Sequence, residues 1–320
     1  MSQTLAERLG RPQWERRLLK QRYCSSGFLG GRCLHFKIVH WGCRFLSRLL
    51  HATGLYEWGN RNFKDVRVRW HDFYMDNLPA AFEGYRLLQL TDLHLDLDTT
   101  LTPILIERLR GLEYDICVMT GDFRDDPVGD ASACLAQMGL LMEHIKAPTY
   151  AVLGNHDFME MVPPLEAMGI RVLLNETIAL ARQGEAIYLS GVDDPGHYQT
   201  DDIARVSQEI PSGQVSILLS HDPCNYQQAG AAGFDLMLAG HTHGGQICLP
   251  GGIAVLRVGP WGKLNGKWKF GNLQGYTSPG TGACGVPVRY FCPPEMTIHR
   301  LLRAAGSARA AQEAARPRHS

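Results

Sequence analysis

The 320-residue chain has no net charge, because Lys+Arg 32 is matched by Asp+Glu 32. That balance argues against a simple polycationic nucleic-acid binder. No run of about 18 uncharged apolar residues occurs, so a membrane-spanning helix is not expected. Its nine cysteines are odd in number and form no Cys-x-x-Cys pair. They do not read as the framework of a small secreted disulfide protein, and a reducing compartment is expected. Internal repeats are also absent. A hydrophobic content of 45% with 20% charged residues leaves room for a sizeable core, in one large domain or two small ones.

The even balance hides an asymmetry. Residues 1–50 carry ten basic side chains against Glu7 and Glu15, a net +8, and residues 301–320 carry four arginines against Glu313, a net +3. Residues 51–300 therefore hold the remaining 18 basic and 29 acidic side chains, a net −11. An acidic middle binds an anionic substrate when metal ions neutralise part of its charge.

The N-terminal segment, residues 1–61, mixes Leu34, Phe36, Ile38, Val39, Trp41, Phe45, Leu46, Leu49 and Leu50 with Lys37, Arg44 and Arg48. Two readings stand side by side: an interfacial helix on an anionic membrane, or a helix packed on the domain with a solvated basic face. Arg16-Arg17 before Leu18-Leu19-Lys20 has the look of a twin-arginine export signal. Arg22, Arg32 and Lys37 interrupt the apolar stretch that must follow, so export is not expected. The reading is a cytoplasmic protein, with peripheral association to the inner face of the plasma membrane left open for residues 1–50. Residues 303–320, rich in Ala and Arg, read as a flexible basic tail.

From about residue 64 short apolar runs end in polar clusters. Val66, Val68 and Trp70 alternate with charged neighbours, as in a half-exposed strand. Tyr85–Leu90 leads into Thr91-Asp92, Ile116–Met119 into Gly121-Asp122, and Thr149–Leu153 into Gly154-Asn155. Ile187–Gly191 leads into Asp193, Val215–Leu219 into Ser220-His221, and Leu236–Ala239 into Gly240-His241. Helical spacing occurs near 102–111 and 131–145. Strands alternating with helices predict a layered α/β domain with a largely buried sheet.

The chemistry collects at those strand ends, where α/β sheets bind ligands. Asp92 and His94, like His241 and His243, are two residues apart and in an extended chain point to one side. Imidazole with carboxylate suits Mn²⁺, Fe or Zn²⁺ better than Ca²⁺, and seven such residues are too many for one ion. Singly, Asp-x-His, Gly-Asp and Asn-His are ordinary turns. All of them in order, each after an apolar run, are hard to produce by chance.

The ordered set Asp92-x-His94, Gly121-Asp122-x-x-Asp125, Gly154-Asn155-His156-Asp157, His221 and Gly240-His241-x-His243 resembles the calcineurin-like metallophosphoesterase superfamily. The motifs span 85–250 and the domain 62–302. Gly191-Val192-Asp193-Asp194-Pro195, Gly280-x-Gly282, Pro287-x-Arg289 and Pro294-Glu295 are similar to its bacterial membrane-associated branch, which includes lipid A pathway enzymes that cleave UDP-diacylglucosamine. Pro279 stands where related sequences often place an arginine, so no substrate contact is assigned there. The resemblance implies a four-layer α-β-β-α sandwich of two mixed sheets flanked by helices, with two divalent metal ions, Mn²⁺ foremost. One metal would take Asp92, His94, Asp122 and His243, and the other Asp122, Asn155, His221 and His241, with Asp122 bridging.

His156 is then the candidate general acid, with Asp157 orienting its imidazole. Arg124 is a candidate substrate contact, equally readable as an exposed loop arginine. Asp125 is expected to hold a ligand histidine or a loop amide. Asp193, Asp194 and His197 either line the entrance, with Asp194 a substrate contact, or form a polar turn. His71, His299, Cys117 and Cys134 read as packing residues. The expected function is hydrolysis of phosphodiester or pyrophosphate bonds, on a lipid-linked substrate such as UDP-diacylglucosamine. The alternatives are a soluble phosphodiesterase acting on nucleotides and, with less support because no expected ligand is replaced, a non-catalytic module. No specific nucleic-acid partner is inferred.

Overall fold

A computed structural model describes residues 3–25, 32–127 and 129–304, with the side chains of 23–40 outside the description. The expected tail, from 305 onward, and the side chains of Leu34, Phe36, Lys37, Ile38 and Val39 thus lie outside the described residues.

Two six-stranded mixed sheets form the centre. The first runs β1 (Arg67–Met75), β14 (Glu295–Arg303), β2 (Arg86–Leu90), β3 (Ile116–Met119), β4 (Thr149–Ala151) and β5 (Ile170–Val172). The second runs β12 (Gly266–Phe270), β13 (Leu273–Thr277), β9 (Leu236–Ala239), β8 (Ser216–Leu219), β7 (Glu185–Gly191) and β6 (Glu176–Arg182). A small hairpin pairs β10 (Cys248–Leu249) with β11 (Ile253–Ala254). The inner strands β2 to β5 and β7 to β9 are parallel.

Their continuous apolar sequences follow from burial on both faces. In β2 and β3, Leu87, Ile116 and Val118 point between the sheets, where they meet Leu189, Ile217 and Leu238. Leu88, Cys117 and Met119 point outward, under α5 (Leu101–Leu109), α6 (Ser132–Met142) and α7 (Val162–Ala167). On the opposite face Leu218 and Met237 are covered by α8 (Ile203–Gln208) and α9 (Tyr226–Ala231). The four layers follow from this alternation. A polar network crosses the inter-sheet core: the Gln89 amide donates to Thr120 Oγ1 and Ala239 O, both at 3.0 Å, and accepts from His299 Nε2 at 2.8 Å. Thr120 and Ala239 close strands of different sheets, so this network ties the sheets together directly behind the strand ends that carry the site.

The N-terminal segment divides into two behaviours. Helices α1 (Leu5–Leu9) and α2 (Arg11–Ser25) lie against the domain. Arg8 reaches Glu166 at 2.8 Å and Glu176 at 2.9 Å. Arg16 donates to Gln199 O at 2.9 Å, and Lys20 to the carbonyls of His197 and Tyr198. Four of the segment's basic residues, Arg17 included, therefore bond to the domain, with Arg16 exposed. Helix α3 (Arg32–Ala52) and α4 (Leu55–Lys64) instead pack Leu46, Leu50 and Tyr56 on Val286, Val288 and Tyr290. Trp41, Phe45 and Leu49 of α3 face outward. Among the described residues no helix is long and apolar enough to cross a membrane.

Candidate metal centre

The seven expected ligands come from the carboxyl ends of β2, β3, β4, β8 and β9, and the two sheets bring them to one common edge. Asp92, His94, Asp122, His241 and His243 all have positive φ, between 43° and 68°. The pairs spaced by two therefore converge through left-handed backbone and not, as the sequence spacing implied, through an extended chain. Non-glycine residues held there store strain that the surroundings must over-determine. Close backbone approach is part of that. A Cβ on Gly154 would lie 2.1 Å from Asp122 Oδ1, and one on Gly240 would lie 2.4 Å from Asp92 Oδ2.

Asp122 is the focus. Its Oδ2 lies 3.2 Å from His221 Nε2, 3.8 Å from His94 Nε2 and 4.0 Å from His156 Nε2. Its Oδ1 accepts the His156 backbone amide at 2.9 Å. Two donor groups meet there, Asp92–His94–Asp122 and Asp122–His221–His241. His243 Nε2 adjoins the first, 3.3 Å from both Asp92 Oδ1 and His94 Nε2. Asn155 Oδ1 adjoins the second, 3.1 Å from His221 Nε2.

Hydrogen bonding orients two of the rings. His94 Nδ1 faces Arg124 O at 2.9 Å, and His221 Nδ1 faces Thr120 O at 2.7 Å. A carbonyl only accepts, so each Nδ1 carries a proton and each Nε2 faces the acids. Imidazole Nε2 atoms facing buried carboxylates, among them Asp92 and Asp122, form a donor set that fits divalent cations. Arg289, fully buried, fixes the His243 segment by donating to the carbonyls of Gly282, Pro279 and His243 at 2.6, 2.7 and 3.2 Å.

His156 sits beside this cluster with Nδ1 donating to Asp125 O at 2.6 Å. Burial lowers its proton affinity, but Asp122 and Asp125 outweigh that and hold it above its ordinary value. The expected role of Asp157 is corrected. Its carboxylate accepts the backbone amides of Asp122, Phe123 and Gly154, at 2.8, 2.9 and 2.8 Å. It ties the β3 and β4 loops together, and the Asp125 carbonyl is what seats the His156 ring. Asp125 itself serves as expected, its Oδ1 lying 3.5 Å from His94 Nδ1 and accepting the Gly285 amide at 2.8 Å.

Neither substrate contact expected from sequence is an exposed side chain. Arg124 is buried over Phe158, and its Nε donates to His156 O at 3.0 Å. Asp194 is fully buried and accepts the amides of His197 and Tyr198 at 2.7 and 2.6 Å, so it caps its own turn and does not line an entrance.

Three residues emerge only from the structure. Cys284 Sγ lies 3.9 Å from His156 Nε2 and groups with His94 and His243. Asp222 Oδ2 lies 3.6 Å from His241 Nε2. Arg17, fully buried although it belongs to the N-terminal helix α2, pairs with Asp193 at 2.7 Å. It also donates to Asp157 O at 2.8 Å and Gly154 O at 3.3 Å, and stacks on Tyr198. Arg17, the second of the twin arginines, therefore braces the loop that carries Asn155 and His156.

The calcineurin-like phosphoesterase family model matches residues 85–245, half of the chain and all seven of these positions. The chain belongs to the calcineurin-like phosphoesterase family. It is 30% identical to the uncharacterized metallophosphoesterase YkoQ of Bacillus subtilis, across 80% of this chain and 97% of that one. YkuE of the same organism, also an uncharacterized metallophosphoesterase, is 29% identical over 74% of this chain and 85% of its own. A bovine transmembrane protein with a metallophosphoesterase domain is 28% identical over 71% of this chain and 55% of its own. Calcineurin-like phosphoesterases use divalent metal ions, and this one is a metal-dependent phosphoester hydrolase whose His/Asp clusters lie at the sheet edge.

Proposed function

We propose that the protein hydrolyses phosphodiester or pyrophosphate bonds with two divalent cations, Mn²⁺ foremost and Fe or Zn²⁺ as alternatives, and that its substrate is lipid-linked, such as UDP-diacylglucosamine. The observation that carries the reading is the convergence on Asp122, whose Oδ2 has the His221 and His94 ring nitrogens at 3.2 and 3.8 Å. Asp92, His94, Asp122 and His243 would hold one cation, and Asp122, Asn155, His221 and His241 the other. When bound, such a pair neutralises phosphoryl charge and makes water nucleophilic near neutral pH.

The chain's own residues do the rest. Asp122 sets the spacing of the two halves, because one carboxylate faces both. Thr120 O and Arg124 O hold the Nδ1–H groups of His221 and His94, so each ring keeps its Nε2 toward the acids. His156 holds a proton at Nε2 that can pass to the leaving oxygen, and Asp125 O prevents its ring from rotating. Asp157 and Arg17 keep the two loops at fixed separation from below.

Membrane proximity is supported by the outward apolar face of α3 and by the bovine relative, named as a transmembrane protein. The soluble phosphodiesterase reading gains from a specific observation: Arg8, Arg17 and Lys20 of the basic segment are engaged with the domain. A hydrolysis screen of purified protein with Mn²⁺ decides between them. Turnover of UDP-diacylglucosamine in mixed micelles, well above that of cyclic nucleotides and generic diesters, is expected. Preference for a soluble nucleotide would replace the lipid reading, and no hydrolysis of any phosphoester would overturn the whole.

A further inference from the structure

Beyond the metal ligands, the chain makes an apolar excursion unlike any other part of the domain. Leu249, Ile253, Val255, Leu256, Val258 and Trp261 are all exposed, Leu256 by 72% and Trp261 by 84%. They lie on the β10–β11 hairpin and the loop that follows. This segment is rooted in the site itself: Thr242, between His241 and His243, donates to Leu264 O at 2.6 Å, and Ala254 occupies the space that a Cβ on Gly245 would need, 2.4 Å away. Six large apolar side chains on one protruding segment are far more than scattered surface hydrophobics require.

Charge narrows the choice of partner. Between Asp235 and Glu295 the chain contains no Asp or Glu at all, and Arg257 lies within the exposed segment itself, whereas Lys263 is buried against Tyr226 and Trp268 and Lys267 donates to Asp72 O. Arg257 stacks over Trp261 at 4.0 Å. The outward face of α3, with Trp41 at 72% and Phe45 at 69% exposure, belongs to the same region. Its underside packs on Val286, Val288 and Tyr290, and Ile247 at the root of the hairpin joins that cluster. Apolar tips with an interfacial tryptophan, an arginine stacked on it and no acid within the segment match an anionic bilayer, which offers hydrocarbon beneath negative headgroups. A second copy of the chain fits less well, because neither copy's segment offers an acid to pair with the other's Arg257.

We infer that the 249–261 hairpin, with the outer face of α3, is a membrane-docking surface that seats the metal centre against anionic lipid. This deepens the lipid-side half of the proposed function, and its test is separable from it. The full-length chain is co-sedimented with vesicles of neutral phosphatidylcholine and with vesicles containing phosphatidylglycerol. Hydrolysis of a small soluble diester is measured alongside. The wild type is expected to bind, more tightly with phosphatidylglycerol and less so in salt. The variant Val255→Ser/Leu256→Ser/Trp261→Ser is expected to lose about 10²-fold in vesicle partitioning while hydrolysing the soluble diester at the wild-type rate. Trp41→Ser/Phe45→Ser is expected to weaken partitioning by about tenfold.

Equal sedimentation of wild type and the hairpin triple variant would overturn the inference, as would indifference to phosphatidylglycerol. A wild type that dimerises in solution, with a monomeric hairpin variant and no vesicle binding, would also overturn it and make the surface a self-interface. Vesicle binding without hydrolysis of any substrate would leave the docking surface standing and remove the enzymatic reading instead.

Discussion

Replacing Arg17 by methionine tests whether the N-terminal arm is part of the catalytic domain. The guanidinium is fully buried, 2.7 Å from an equally buried Asp193, and holds the Asp157 and Gly154 carbonyls. Methionine keeps the stem but leaves the carboxylate without its counter-charge, with the Thr200 hydroxyl at 2.6 Å and the Asp194 backbone amide to stabilise it. Removing one partner of such a pair costs about 3–5 kcal/mol, or on the order of 10 °C in melting temperature for a chain of this size. Burial already raises the Asp193 pKa against the pull of Arg17, and without Arg17 it rises further. The folded state then binds a proton that the unfolded state releases, so stability falls as pH rises between the two pKa values. Thermal unfolding at pH 5 and pH 8 should therefore show the smaller deficit at pH 5. Adding Asp193→Ala should cost less than the sum of the two single changes. A melting temperature unchanged by Arg17→Met, or a deficit that grows on acidification, would refute the reasoning.

Two further predictions concern the site. Gly154→Ala places a methyl group where Asp122 Oδ1 lies 2.1 Å away. It should therefore lower activity by about 10²-fold and reduce metal content by elemental analysis, although no ligand is altered. His156→Ala should lower kcat by roughly 10²–10⁴-fold for alkoxide leaving groups with both metals retained, and the loss should shrink for nitrophenolates, which need no proton.

The layered fold was legible because strands buried on both faces write continuous apolar runs, and Ile116–Met119 and Leu236–Ala239 have the bounds their sequence shows. The convergence of Asp92, His94, Asp122, Asn155, His221, His241 and His243 was legible because polar clusters after such runs lie at the sheet's carboxyl edge. What was hidden depends on distant or backbone partners. Arg17 meets Asp193, 176 residues away, and nothing in a basic helix announces a buried partner. Asp157 was assigned to His156 because they are adjacent, yet its acceptors are satisfied by backbone amides, two of them from another loop, which side-chain chemistry does not disclose. The left-handed φ angles at five expected ligands are equally invisible, since none of the five is glycine. Cys284, 128 residues from His156 in the chain, arrives through the long acid-free stretch whose path sequence spacing does not fix.

The central claim is that one carboxylate serves two cations. Elemental analysis of wild type and Asp122→Ala, purified in parallel and equilibrated with Mn²⁺, tests it most directly. The account predicts about two divalent ions per wild-type chain, loss at both positions in the variant and no hydrolysis of a diester by it. Near wild-type occupancy in Asp122→Ala, or loss of a single ion only, would contradict it.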